Sequence, residues 1–284
     1  MNRILKILIT VMSIISIISC SNSNNKTNNS NTAAENTSGV IRVATPGAYP
    51  IFSEVNDNGE LQGYDIDIWE EIGRRLGKKV EWTQVAMDGC FGALDAGKVD
   101  SVTQQISITK ARMEKYYFSE PYFLSPYKLY VPGTNSSINK FEDMYGKKLA
   151  LALGSAAHEY IKRLDPEGKI EIVSFRSDSL VTLPNNVANG KADASIQSVV
   201  TFDDRIKKTG LDLKLVGDVV YTEVNAFPFR KDEEGKKLCD DVSKTLLEMR
   251  EDGTLENIAV KWFGYNPMEG LDFQAELEKL LATF

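Results

Sequence analysis

The sequence predicts an α/β protein of two similar lobes, each a sheet with its helices, joined by a two-stranded hinge. Three observations carry that expectation. From Val40 onward, short β-like runs alternate with helical periods, the pattern of largely parallel sheets. A Gly-Lys-X-Asp closure occurs twice, at Gly97-Lys98-Val99-Asp100 and at Gly190-Lys191-Ala192-Asp193, which suggests one build used twice. Between the halves, Phe118 to Val131 is rich in proline and aromatic residues and reads as a crossover.

Composition bounds the rest. At 284 residues, with 42% hydrophobic and 26% charged residues, the chain is long enough for one large or two medium domains and excludes whole-chain disorder. A formal charge of -7 offers no basic footprint for nucleic acid. Three cysteines and one histidine are too few for a Cys/His zinc site or a disulfide scaffold, so no metal or cofactor is expected.

The elements follow in order. Arg3 and Lys6 precede an apolar or small run from Ile7 to Ser19 that is too short for a comfortable spanning helix and is shaped like a signal peptide, residues 1–19. The run ends on Ile17-Ile18-Ser19-Cys20, which resembles a bacterial lipobox and marks Cys20 for lipidation. Residues 20–38 are Asn-, Ser- and Thr-rich, with too little apolar surface to fold, and read as a flexible tether. Without Arg3 and Lys6 the 33 basic residues no longer include the signal's two, and against 40 acidic residues the mature charge is -9, fitting a body tethered near a membrane but not lying on it.

Ile41 and Val43 flank Arg42 in a first strand, and Trp69, Ile72 and Leu76 recur at helical spacing before Gly77. Val80 and Trp82 begin a second strand, and Phe91 and Leu94 belong to a short helix closed by the first Gly-Lys-X-Asp. The second half repeats this: Leu149, Leu151 and Leu153 as a strand, a helix after Gly154, a strand over Ile170 to Val173, and a helix closed by the second motif. Asp57-Asn58-Gly59 reads as a hairpin turn; the later ligand positions of a calcium loop are missing. A return crossing is expected near Val224 to Lys231, because the helix Leu238 to Arg250 needs a partner surface. Leu271, Phe273, Leu277, Leu280 and Leu281 give the tail an amphipathic helical pattern. The expected organisation is therefore lobe 1 over 39–128 and 224–264, lobe 2 over 129–223, and a helical tail over 265–284.

Two motifs add a resemblance. Gly63-Tyr64-Asp65-Ile66-Asp67-Ile68, and Glu251-Asp252-Gly253-Thr254-Leu255 through Lys261-Trp262-Phe263-Gly264, are similar to signatures of the extracellular solute-binding proteins of polar amino-acid ABC transporters. The likeness runs from about Ile41 to Gly264. It implies the type II periplasmic-binding-protein fold and a monomer lipid-anchored in a bacterial cell envelope, on its periplasmic or extracellular face. It further implies an amino-acid ligand trapped by hinge closure and delivered to the transmembrane subunits of an ABC permease, which a separate ATPase drives.

The resemblance also implies a site. Gln104-Gln105-Ile106-Ser107-Ile108-Thr109-Lys110-Ala111-Arg112 is similar to the family's carboxylate-binding loop, with Arg112 as the bidentate fork and Ser107 and the Gln105 backbone touching carboxylate and ammonium. Outside that motif Arg112 reads as a solvated helix charge and Ser107 as an N-cap. Tyr49, in the loop Thr45 to Phe52, corresponds to a lid over the ligand, and Phe52 reads as lobe core. Met87 falls where relatives place an apolar contact; a core methionine is the alternative. Ser155 and Ala156 follow a strand and open a helix, so their N–H groups would face a polar ligand group.

Ser198 stands where the family usually carries an aspartate, the ammonium's counterion, and supplies no charge. Glu223, near the return crossing, is a candidate substitute. Pro46 replaces an acidic selector of several relatives, which disfavours a basic ligand side chain. Gln105, with Ala226 to Lys231 and Gly235-Lys236-Lys237, looks most like the cystine-binding branch, so the expected ligand is cystine or another neutral or sulfur-containing amino acid. The alternative is an enzyme of the same fold resembling the cyclohexadienyl dehydratases. Its acid chemistry needs a tuned acid beside the substrate, and no carboxylate and lysine pair falls on matching positions. His158 reads as a surface or capping residue, and Cys90 and Cys239 are left either as free thiols or as a disulfide.

Overall fold

The computed structural model describes residues 39–153, 155–175 and 182–282. The expected signal peptide, Cys20, the tether and Gly154 lie outside the described residues.

The first parallel sheet is built on β1 (Val40–Thr45), flanked by β5 (Lys79–Gln84) and β6 (Ser101–Val102). Successive β1 side chains point to opposite faces. Val43 and Ile41 join a cluster with Ile68, Trp69 and Ile72 of α1 (Tyr64–Leu76), whereas Ala44 joins Cys90 and Leu94 of α2 (Met87–Asp95). A strand buried on both faces explains the near-continuous apolar reading of Ile41 to Ala44. Between β1 and α1, β2 (Ala48–Tyr49), β3 (Ser53–Val55) and β4 (Leu61–Gln62) form an antiparallel set whose last turn is the expected Asp57-Asn58-Gly59.

α3 (Lys110–Lys115) leads into β7 (Tyr116–Phe118) and then β8 (Phe123–Pro132). After a 3-10 turn at Phe141–Met144, the second lobe repeats the plan of the first. β9 (Lys148–Ala152) runs parallel to β10 (Glu171–Phe175) and β11 (Ala194–Ser198). Leu149 and Leu151 face α4 (Ala156–Leu164), and Ala150 and Ala152 face α5 (Thr182–Ala188) and α6 (Val199–Thr209). Leu153, expected to end the strand, lies just past it and is exposed, although its N–H still donates to Phe175 O at the end of β10.

The two halves close in the same way. Gly97 and Gly190 each take φ 69, the left-handed conformation that turns a helix into the next strand. Asp100 then caps the backbone N–H of Arg42 at 2.8 Å, as Asp193 caps that of Lys148 at 2.8 Å.

β12 (Leu213–Asn225) pairs antiparallel with β8 from Phe123↔Asn225 to Pro132↔Leu213, with an irregularity between Val216 and Tyr221. Phe123 packs in the first lobe against Phe52 and Tyr64, while the far halves of both strands complete the second sheet, in the order β10-β9-β11-β8-β12. These two strands are the hinge, and the boundaries expected at 128/129 and 223/224 fall inside them. β13 (Pro228–Arg230) returns to pair with β7. α7 (Glu233–Glu251) starts five residues before Leu238, because its first turn is polar and carries no apolar period; the Asp232 carboxylate caps it, accepting from Gly235 N at 2.7 Å. α8 (Thr254–Phe263) and α9 (Phe273–Leu281) end the described chain, with Leu280 buried and the Arg250 guanidinium 4.1 Å above the Phe273 ring. No helix among the described residues is long and apolar enough to cross a membrane.

Candidate functional site

The site grows from one buried acid. Asp65 sits in the first turn of α1 without solvent exposure, and its carboxylate accepts from Thr103 Oγ1 at 2.9 Å, the Tyr122 hydroxyl at 3.0 Å, and Gln105 N and Nε2 at 3.0 Å each. Burial pushes its pKa up to about 6 against those donors. The bonds hold Gln104 at φ 142 and Gln105 at φ 51, backbone that non-glycine residues rarely adopt and that costs on the order of 1 to 3 kcal/mol per residue.

The strained turn sends the next residues along the hinge. Ala226 N donates to Ile106 O at 3.1 Å, Ile108 N donates to Val224 O at 2.9 Å, and Ser107 bridges to Asn225. This pairing brings the Ser107 hydroxyl to Glu223 Oε2 at 2.6 Å. Thr109 caps α3 by accepting from Arg112 N at 3.3 Å, which points Arg112 back along the loop. Its Nη1 donates to Ser107 O at 2.8 Å, its guanidinium lies over the Phe91 ring, and it makes no ion pair with any carboxylate among the described residues. Burial pulls the Arg112 pKa down and the field of Glu223 pulls it up. Glu223 is buried on β12, its pKa raised by desolvation and lowered by the Ser107 hydroxyl, Arg112 and Tyr127.

These groups face a cavity of about 230 Å³ between the lobes. Its first-lobe wall includes Tyr49, Met87, Gln104, Gln105, Ser107 and Arg112. Tyr49 stacks on Phe52 with ring centroids 5.1 Å apart, and Phe52 itself is core, as expected. The opposite wall includes Leu151 and Ala152 at the end of β9, Ser155 and Ala156 at the start of α4, Leu183, and Ile196 and Gln197 of β11. Two buried polar atoms on these walls have no partner, Gln104 Oε1 and Ser155 Oγ. Unsatisfied buried polar groups are costly, and a pair of them across a cleft is what a hydrogen-bonding ligand would satisfy. Wider hollows on the first lobe's outer face differ in kind: the one of about 650 Å³ beside α1 and α8 is lined by Asp67, already paired with Lys261 and the Trp262 indole.

Eight residues expected at a ligand site thus line one cavity, and Ser198 does not. It is 1% exposed and its hydroxyl is hydrogen-bonded to Ser125 Oγ at 2.8 Å, so it is covered and its hydroxyl is already taken up. Tyr127, Leu183 and Gln197 were not signalled by any motif, since each is an ordinary residue of its element until the lobes meet. His158 is half-buried, its Nε2 2.9 Å from Ser174 Oγ. Cys90 and Cys239 are free, buried thiols in separate clusters. No group of three or more His, Cys, Asp or Glu side chains able to hold a metal occurs among the described residues.

Known proteins share this build. Residues 41–265 match the sequence model of the bacterial extracellular solute-binding proteins, family 3. PatH of Vibrio harveyi, which carries the name of an amino-acid ABC transporter-binding protein, is 40% identical over 224 residues, covering 79% of this chain and 88% of PatH. YxeM of Bacillus subtilis, named as an amino-acid-binding protein, is 35% identical over 233 residues, covering 82% and 87%. A solved structure titled as an L-cystine ABC transporter from Listeria monocytogenes superposes with a TM-score of 0.68 at 32% identity, covering 80% of this chain and 98% of the other. With two lobes, a two-stranded hinge and a match over most of its length, the chain belongs to the bacterial extracellular solute-binding proteins, family 3.

Proposed function

We propose that this protein captures a small zwitterionic amino acid with a neutral side chain, L-cystine or another sulfur-containing amino acid first among them, and hands it to the permease of an ABC importer. One observation carries the reading: Arg112, a cation without an ion pair among the described residues, faces an interlobe cavity that also holds the unpartnered Gln104 Oε1 and Ser155 Oγ. A carboxylate docking on Arg112 would gain a charge-assisted, bidentate fork, with the Ser107 hydroxyl beside it. Tyr49, Met87 and Ala156 would enclose the side chain, and Ser155 at the N-terminus of α4 would join on closure. The described lining residues hold no second carboxylate for a basic side chain once an ammonium is accommodated, and the likeness to the Listeria protein favours cystine.

Closure is favoured only as far as the ligand interacts better with the closed form than with the open one. Tethering by lipid at Cys20 would keep the body near its permease, each buried methylene contributing about 0.8 kcal/mol of membrane affinity. Isothermal titration with the twenty standard amino acids and L-cystine tests the ligand, and tight binding of arginine or lysine would overturn the neutral side chain. For the anchor, a palmitate label should enter the wild type but not Cys20→Ala; equal labelling of the two would refute it.

A further inference from the structure

We infer that Glu223, on the hinge strand, is the counterion of the ligand's ammonium, so that both charges of the zwitterion are gripped before the second lobe contributes anything ionic. The inference rests on the zwitterion reading above.

Among the described residues that line the cavity, Arg112 is the cation and Glu223 the carboxylate. They are not matched to each other by an ion pair, although each feels the other's field. A carboxylate taken out of water is costly unless paired. Glu223 is 7% exposed, and its contacts, the Ser107 hydroxyl at 2.6 Å and Tyr127, are neutral. An ammonium in the cavity would supply the missing charge.

Sheet geometry explains why the charge sits here rather than at Ser198. Ser125 is the register partner of Glu223 across β8 and β12, and Tyr127 that of Ser198 across β8 and β11. Register partners share a face, and Ser125 and Tyr127 are two residues apart, so all four side chains stand on one face of the sheet. On that face the Ser198 hydroxyl is taken up by Ser125, and the carboxylate lies two strands away, beside the first-lobe loop that carries Ser107. Among the described residues, the second-lobe lining, including Ser155, Leu183 and Gln197, is uncharged, so that lobe reads the side chain.

The test crosses residue with ligand group. The twenty amino acids and L-cystine are titrated into the purified protein, and the tightest binder is compared with its analogue carrying hydrogen in place of the amino group. The comparison is made in wild type, Glu223→Gln, Glu223→Asp and Ser198→Ala, each checked for folding by thermal melting. Wild type should prefer the amine-bearing ligand by about 30-fold or more. Glu223→Gln should shrink that preference to about 3-fold or less while leaving the amine-free analogue's affinity nearly unchanged, and Ser198→Ala should leave the preference intact. Glu223→Asp, with a shorter reach, should keep part of it, and serves alone if Glu223→Gln does not fold. A preference that survives unchanged in the folded Glu223 variants overturns the counterion and leaves the zwitterion reading standing. A wild type that binds the amine-free analogue as tightly as the amino acid, or binds none of the panel, overturns both.

Discussion

Asp65 Oδ2 accepts the backbone N–H of Gln105 at 3.0 Å, and through that bond a buried acid in α1 fixes left-handed backbone at the wall of the interlobe cavity. Replacing Asp65 with Asn keeps the shape but turns an N–H₂ group toward donors. The expected cost is about 1 to 3 kcal/mol of stability in urea unfolding, with weakened ligand affinity because Gln104 and Ser107 lose their reference.

The same residue sets a pH signature. Its folded pKa, about 6, lies above that of an unfolded Asp, so its contribution to stability is fully present below about pH 4 and is lost as pH rises through 6. The difference in unfolding free energy between wild type and Asp65→Asn should therefore fall by roughly 2 to 3 kcal/mol from pH 4 to pH 7. A flat difference over that range would show that the four donors hold the carboxylate ionised throughout.

Arg112 should separate stability from binding. Because it is partly buried and makes no ion pair among the described residues, Arg112→Ala should leave the melting temperature unchanged or higher. Ligand affinity should fall by about 3 to 5 kcal/mol, the usual cost of removing one partner of a buried charge pair. Arg112→Lys should recover only part, since an ammonium cannot form the fork. Calorimetric titration beside a thermal melt reads both; unchanged affinity would remove Arg112 from the site.

The repeated closure was legible because its chemistry is local. A glycine at φ 69 and an aspartate capping the first strand's backbone need only neighbours in sequence and one strand beside them, and both copies make them. Alanine at Gly97 or Gly190 should each cost about 1 to 2 kcal/mol of unfolding free energy, the penalty of a Cβ in that conformation. A Cβ at Gly97 would meet only the Arg230 guanidinium at 3.9 Å, and one at Gly190 nothing within 4 Å, so a much larger loss at either would point to a steric cause beyond these contacts.

Other parts of the site could not be read in this way. Gln104 and Gln105 are not turn formers, so nothing in their identity announces positive φ; the tertiary grip of Asp65 imposes it. Glu223 could be named a candidate counterion only from its place near the return crossing, since its burial exists only because β12 runs back beside the Ser107 loop. Ser198 sits at the position that the resemblance marks, yet a second serine across the sheet takes its hydroxyl.

Cys90 and Cys239 donate their thiols to the carbonyls of Val85 and Phe118, and burial pushes both pKa values up to about 11. At pH 8 the thiolate fraction is therefore small and access poor. In a Cys20→Ala background, a thiol reagent such as iodoacetamide should leave both unmodified in the folded protein and label both in urea. Rapid labelling under native conditions would show that one of the two clusters opens.

The tail helix ties the first lobe to the hinge. Asp272 caps α9 by accepting from Ala275 N at 3.0 Å, Phe273 lies beneath the Arg250 guanidinium, and Leu280 is 4% exposed in the main core cluster, where α9 packs along β12. Truncating a buried leucine removes its transfer free energy and leaves a cavity, so Leu280→Ala should cost about 2 to 4 kcal/mol in urea unfolding. Leu281, exposed on the same helix, should change by less than about 0.5 kcal/mol when truncated. The contrast within one turn separates packing from helix propensity, which alanine improves at both positions. Equal small effects at both sites would mean that α9 is not held on β12 in solution, whereas a large Leu280 effect makes the tail a structural part of the strand that carries Glu223.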